Sequence, residues 1–440
     1  MTISRLGGVV FVFALSLALL PVHFELADSS VLGWNQRLGQ YFKATVPVSL
    51  GLILLSIVAL YRIITGYHLF GKIIFRLAIL CAALAAFYWL LAGLPLIYSI
   101  KLILPIIVLI LVLALPRVDW NLSRSLCVIP AVMCLAHLVS ILIHYNPMYL
   151  EVNHNVFFWD VFARIFRFEI YSPLVVYSET LSLIAILFLL VVRVSASQEH
   201  KSDVIYLSVS WLGFLIAMTL GLIGARKLFI LFFLVILCYL WMRKDTLAQI
   251  MRRSYLRVVT AGYFVFLVIN YEWFIPAVRR VTSSYMSGNL DGRRLSKYGE
   301  YVGSLQSDHL SAETVSPAAG GGGFQSVDTS ILIFGSGDIG SYHNFFLMLL
   351  ASVGIVGFAL FVSLILYILK IGAHHMHGIF SMSLRPELIV ILVYVALECF
   401  VNTGLSQSYY AVSLGIVFWL LKECGSRDAV ETSKDSRGRC

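Results

Sequence analysis

Apolar residues fill this chain in long stretches separated by short polar breaks. A helix needs roughly 17–25 apolar residues to cross hydrocarbon, and about twelve such runs can be read along the chain. They start near Gly8, Val46, Ile73, Ile97, Leu126, Val175, Ile205, Lys227, Val258, His343, Leu388 and Tyr409. None alternates with period two, which excludes a membrane barrel. The pattern predicts an all-α polytopic integral membrane protein forming a single membrane domain over 1–440, with a large outward loop between helices 9 and 10.

Two polar segments elaborate that domain. The first, 144–173, holds Val156-Phe157-Phe158-Trp159-Asp160 and is too short and too charged to span, so it is expected to lie along the membrane interface with its aromatics at the lipid boundary. The second, 279–342, interrupts the apolar sequence far longer than any other break. Its run Ala318-Ala319-Gly320-Gly321-Gly322-Gly323 leaves backbone freedom for a lid. The polar end, 423–440, reads as a tail, and the run 8–20 behind Arg5 reads as a retained helix, since no small-residue cleavage site follows it.

Composition agrees with the pattern: 60% of residues are hydrophobic and 12% charged, beyond what a soluble core requires. The basic residues are distributed unevenly. With the amino terminus inside, Arg62, Arg76, Arg117, Arg193, Arg243, Lys244, Arg252, Arg253, Arg257, Lys370 and Arg385 fall on one side together with the basic tail. The excess of Lys and Arg on cytoplasmic loops then places both termini in the cytoplasm and 279–342 outside. The net charge of +9 reflects this bias, and no basic patch interleaved with aromatics points to nucleic acid. The cysteines fall in helices or the tail, so no disulfide framework is expected.

Ionisable residues inside apolar runs are costly and are functional candidates. Lys101, Glu179, Arg226, Lys227, His343 and Glu398 all come out near the outward ends of their helices, suggesting one polar site there. Lys101 can snorkel beside Tyr98, Glu179 can form a structural ion pair, and Glu398 is either a buried partner or a site residue. Arg226 stands in Gly224-Ala225-Arg226-Lys227, a turn too short to carry its charge far into water, and a guanidinium forks naturally onto phosphate oxygens. Its plainer reading is an anchor to lipid headgroups.

The re-entry from the large loop, Gly340-Ser341-Tyr342-His343-Asn344-Phe345-Phe346, sets a histidine at the head of a helix, where free N–H groups and the dipole favour an anion. Gly335, Gly337 and Gly340 allow close backbone approach, and Arg279, Arg280, Arg293 and Arg294 supply positive charge in the preceding loop. A neutral imidazole there can take a proton from a hydroxyl, whereas an isolated interfacial histidine would only anchor its helix. The combination is chemistry for a phosphorylated, membrane-borne substrate.

The order of these motifs, namely Gly224-Ala225-Arg226, then Asp291-Gly292-Arg293-Arg294-Leu295, then Phe334-Gly335-Ser336-Gly337, then Tyr342-His343-Asn344-Phe345 followed by Gly354-Ile355-Val356-Gly357, resembles the O-antigen polymerase and O-antigen ligase superfamily. The resemblance covers roughly 221–366. It implies a bacterial inner-membrane enzyme with about a dozen helices around a periplasmic site, transferring glycan from an undecaprenyl pyrophosphate-linked donor without metal or other cofactor. Residue by residue, Arg226 would hold the donor pyrophosphate and Arg294, or its neighbour Arg293, would close on it from the loop. His343 would activate the acceptor hydroxyl. Beside what the resemblance carries over, Lys227, Tyr342, Asn344, Arg279 and Arg280 are expected in substrate contact. Ala225 stands where family members often carry serine.

The acceptor would be a lipid-linked glycan for a polymerase, with a chain-length regulator as a partner, or lipid A core for a ligase. Paired arginines stabilise the charge that grows on a departing pyrophosphate, and no acidic pair at ligand spacing calls for a divalent ion. The run His374-His375-Met376-His377 is the one metal-like cluster, and it lacks acidic or cysteine neighbours. A lipid-linked glycan flippase or secondary carrier is the competing class. It would be expected to show repeated halves and paired broken helices.

Overall fold

The structure is a computed structural model that describes residues 5–19, 23–26, 53, 56–58, 60–61, 68–115, 118–143, 155–157, 168–173, 178–196, 201–223, 227–275, 278, 345–375, 385–401 and 408–437. Nearly all of it is helical. The helices are α1 (Arg5–Ala18), α2 (His68–Leu90), α3 (Leu96–Ala114), α4 (Trp120–Ser123), α5 (Val128–Ile143), α6 (Ser178–Ala196) and α7 (Lys201–Ile223), then α8 (Lys227–Met242), α9 (Lys244–Arg252), α10 (Ser254–Ile269), α11 (Phe345–His375), α12 (Arg385–Val401) and α13 (Ser408–Arg437). A 3-10 turn over Arg124–Cys127 joins α4 to α5, and Asp119 caps α4 by accepting from the Asn121 backbone N–H at 3.4 Å. The run expected near Val46 lies largely outside the described residues.

Among the described residues three helical stretches are long and apolar enough to cross a membrane: Trp120–Val139, Val204–Ile223 and Phe345–Ile368. The outer surface is apolar as well, with Ile205, Leu234, Phe264, Val268 and Ile269 all exposed. Such a surface suits lipid and not water.

One correction concerns the all-α expectation. β1 (His23–Leu26), β2 (Asn155–Phe157) and β3 (Phe168–Pro173) form a three-stranded antiparallel sheet in the order β1-β3-β2, with Tyr171 paired to both His23 and Phe157. The segment 144–173 contributes two of these strands. Val156, Phe157, Ile170 and Tyr171 favour extended backbone, but strands this short carry too few positions for period-two alternation to be legible.

The core sits around α6. From Thr180 to Ala196 every residue except Arg193 is buried, and α6 packs on α7, α8, α9, α12 and α13. A helix apolar on all sides belongs in the interior of a bundle. Its approach to α7 is close because Gly213 faces Phe188: a Cβ on Gly213 would stand 2.6 Å from the Phe188 ring. At the amino end α1 joins the same core, with Phe11 edge-on to Trp419 of α13 at 5.4 Å between ring centroids.

Side-chain pairs set the direction of each helix. α8 and α12 are antiparallel, because Phe232 meets Tyr394 while Tyr239, farther along α8, meets Glu387 near the start of α12. Arg193, near the end of α6, reaches the same Glu387. The ends of α6 and α8 and the start of α12 thus share one end of the bundle, called here the Glu387 end. The start of α6, with the sheet just before it, the junction of α7 with α8, and the last turn of α12 belong to the opposite, sheet end. α13 starts there too, since Tyr410 lies beside Tyr394, and Lys422 later in α13 donates to the Leu115 carbonyl just past α3 at 3.2 Å. α3 therefore runs from the sheet end, and the end of α2 that precedes it, bearing Tyr88, lies there as well.

α11 is not one straight rod. Gly354 has φ 66° and ψ −176°, far from helical values. Phe345 and Phe361 have ring centroids 5.8 Å apart, and Phe346 and Phe358 are 6.1 Å apart. In a straight helix the first pair would be separated by about 24 Å along the axis at ~1.5 Å per residue. The chain accordingly folds back at Gly354 into two arms, 345–353 and 355–375. Length and apolarity alone would count this stretch as a span, but its first arm lies against its second.

The last helix is long. α13 continues to Arg437, and Lys422, Glu423 and Cys424 are buried within the bundle.

Candidate functional site

The turn carrying Arg226 is bounded by Ile223, which ends α7, and Lys227, the first residue of α8. Arg226 itself, and with it His343, Tyr342, Asn344, Arg279, Arg280, Arg293 and Arg294, lies outside the described residues. The described helix ends that adjoin them are informative. Both Ile223 and Lys227 belong to the sheet end. The arm that starts at Phe345, directly after Asn344, reaches the sheet end at Gly354.

That arm is enclosed. Phe345, Leu349 and Val353 are fully buried, Met348 nearly so, and Ser352 is buried with them. Its hinge is clamped from α2, where the Tyr88 hydroxyl donates to the Gly357 carbonyl at 3.0 Å, and both residues are buried. Gly354 needs to be glycine because its dihedrals fall in a region that only glycine occupies without strain. Backbone interrupted at membrane depth is tolerated only where protein or a water-filled cavity surrounds it. The first described residue after His343, Phe345, packs at the level of Phe361, some seven residues or about 10 Å beyond the hinge.

Of the other ionisable candidates, Glu398 is completely buried in the last turn of α12 at this end. Lys101 is exposed on α3, with its ammonium 5.2 Å from the Tyr98 ring centroid, in the snorkelling arrangement. The structure thus separates these two by environment. Glu179 is the second residue of α6, at the same end, and His374 and His375 close α11. Among the described residues no group of three or more His, Cys, Asp or Glu is assembled.

The Glu387 end contains an ion cluster that sequence reading missed. Arg243 donates from Nε to Glu387 Oε1 at 2.9 Å and from Nη2 to Oε2 at 2.7 Å. Tyr239 donates its hydroxyl to Oε1 at 3.0 Å, and Arg193 Nε stands 3.4 Å from the same oxygen. The Glu387 side chain is only 2% exposed. A signal was present: Glu387 opens an apolar run behind Arg385-Pro386, and Arg193 falls inside the last turn of another. Beside this cluster Arg253 donates to the Ala196 carbonyl at 3.3 Å, closing the end of α6.

A second polar set lies within α5, α7 and α10. His137 is buried, and its Nδ1 donates to the Met133 carbonyl at 2.7 Å. Tyr263 donates to Thr219 Oγ1 at 2.7 Å, and Trp211 donates to Thr260 Oγ1 at 2.8 Å. The last two bonds satisfy polar groups between α7 and α10, as packing in membrane bundles favours.

In comparisons with known proteins, no family model matches the chain and no curated protein matches it, so the reading below rests on the chain's own residues.

Proposed function

We propose that this protein is a membrane glycosyltransferase that polymerises undecaprenyl pyrophosphate-linked repeat units at the periplasmic face of a bacterial inner membrane, with both termini in the cytoplasm. The single observation that supports the reading is that the arm directly following His343 is buried inside the bundle, with Phe345 against Phe361, and leads to a hinge at Gly354 on the end where α7 turns into α8 beside Arg226. A base and a phosphate clamp brought there would work out of bulk water, where charge–charge stabilisation is strongest.

In the proposed step the acceptor hydroxyl oxygen attacks the anomeric carbon of the donor sugar. His343 takes the hydroxyl proton, the bond from that carbon to the pyrophosphate oxygen breaks, and the lipid pyrophosphate leaves with the electron pair. Arg226 and Arg294, or Arg293 beside it, hold the phosphates, with Lys227, Tyr342, Asn344, Arg279 and Arg280 around the substrate. A base in this role typically contributes about a hundred- to ten-thousand-fold. A chain-length regulator is the partner that such a polymerase would need.

A second reading is favoured by one observation. A helix broken inside the bundle, as at Gly354, is a feature of carriers, whose sites are built from discontinuous helices. One experiment separates the readings: the purified protein is given lipid-linked repeat units in the presence of a chelator. Products two or more repeats long support the polymerase, and transfer only after lipid A core is added makes it a ligase. No new glycosidic bond, together with movement of lipid-linked glycan across liposomes, makes it a carrier.

A further inference from the structure

At the Glu387 end, α8, α9 and α10 meet in a corner whose surface changes character at one level. α9 buries Ile250 and packs Leu247 and Met251 inward, while Lys244, Asp245, Ala248, Gln249 and Arg252 face out. Lys244 and Arg252 lie on one stripe with only Ala248 between them, about 12 Å apart along the axis. Arg257, one turn into α10, is exposed as well. Directly beyond these cations the exposed surface is apolar: Trp241 on α8 is 83% exposed, and Val258, the residue after Arg257, is 71% exposed. Arg243 and Arg253 belong to the inner contacts described above, and Asp245 is the one acidic side chain exposed on α9.

We propose that this corner binds anionic phospholipid headgroups, with Lys244, Arg252 and Arg257 on the phosphates and Trp241 in the acyl boundary beneath them. A short amphipathic helix with cations on its outer face and apolar residues on the other lies in a membrane interface. Exposed tryptophan marks the headgroup level, and basic residues close to that level draw anionic lipid. The charge-to-apolar border on the two helices that flank α9 is what selects lipid over a soluble acidic partner, which would have no use for a bare Trp241 and Val258. The inference rests on membrane embedding alone and is independent of glycan transfer.

The test uses the delipidated full-length protein in neutral detergent, titrated with phosphatidylglycerol and separately with phosphatidylcholine, with bound lipid counted by native mass spectrometry. Wild type is expected to favour phosphatidylglycerol at least about tenfold. The triple variant Lys244→Gln, Arg252→Gln, Arg257→Gln should lose that preference while its affinity for phosphatidylcholine holds. A control pair, Arg76→Gln with Lys370→Gln, removes exposed cations from α2 and α11 and should keep the preference. An unchanged preference in the triple variant overturns the proposal. So does an equal loss in the control pair, which would mean diffuse charge, or full displacement of the lipid by inorganic phosphate, which would mean a site for a free anion. Should the triple variant not purify as a monodisperse protein, Lys244→Gln and Arg252→Gln taken singly decide by the same readout.

Discussion

Arg243 closes a two-point fork on Glu387, with Nε and Nη2 donating to separate carboxylate oxygens at 2.9 and 2.7 Å. The pair joins the end of α8 to the start of α12, and Arg193 draws in the end of α6. Three helices are thereby held at one level. A planar guanidinium fixes both distance and angle, which a lysine ammonium would not.

Removing the acid should be far worse than removing its phenol partner. Glu387→Ala leaves two guanidinium groups facing each other in a mostly buried place and is expected to destabilise the protein by about 3–5 kcal/mol. Tyr239→Phe deletes one hydrogen bond to a charged group, for about 1.5–3 kcal/mol. Thermal unfolding in detergent, followed by monodispersity, ranks the two. Equal melting temperatures for Glu387→Ala and wild type would show that the cluster is not structural.

The fold-back at Gly354 predicts a distance. With cysteines introduced as Phe345→Cys and Phe361→Cys, a short thiol cross-linker should join the two positions within one chain, because the rings they replace are in contact. Adding Gly354→Leu, a side chain that cannot adopt these dihedrals without about 1–3 kcal/mol of strain, should abolish the cross-link or the fold. Failure to cross-link in the glycine background would mean a straight helix.

The α6–α7 contact is set by a missing side chain. Gly213→Leu would drive a branched side chain into Phe188, whose ring is already 2.6 Å from where a Cβ would stand. Neither helix can retreat while α6 is enclosed on all sides. The expected penalty is about 1–3 kcal/mol, and pairing it with Phe188→Ala should recover part of it. No recovery in the double variant would rule out direct contact as the cause.

For the proposed chemistry, His343→Ala should abolish glycan transfer while the protein stays at normal abundance in the membrane. Arg226→Lys should lose most activity despite keeping its charge, since the bidentate fork is gone. Near-normal transfer by His343→Ala at equal expression removes the mechanism. Equal affinity of Arg226→Ala and wild type for the lipid pyrophosphate donor removes the clamp.

What the sequence determined by itself was the helical, apolar class and the approximate starts of several described helices. Starts expected near Ile97, Ile205, Lys227 and Leu388 fall within a few residues of α3, α7, α8 and α12, because apolar runs and the polar residues between them are local signals. The snorkelling of Lys101 beside Tyr98 was legible for the same reason: the two residues are neighbours on one helix. What only tertiary structure decided were relations between distant segments. Arg193, Arg243 and Glu387 look like separate helix-end charges until three helices are packed, and two of them had served only to orient the chain. β1 pairs with β3 across more than a hundred residues, which no local window registers. The fold-back of α11 is the clearest case. Its composition reads as one span, and only the positive φ of Gly354, enforced by the Tyr88 clamp and the Phe345–Phe361 contact, turns it into two arms. Composition sets which solvent a segment prefers, whereas its direction within that solvent is set by the partners it packs against.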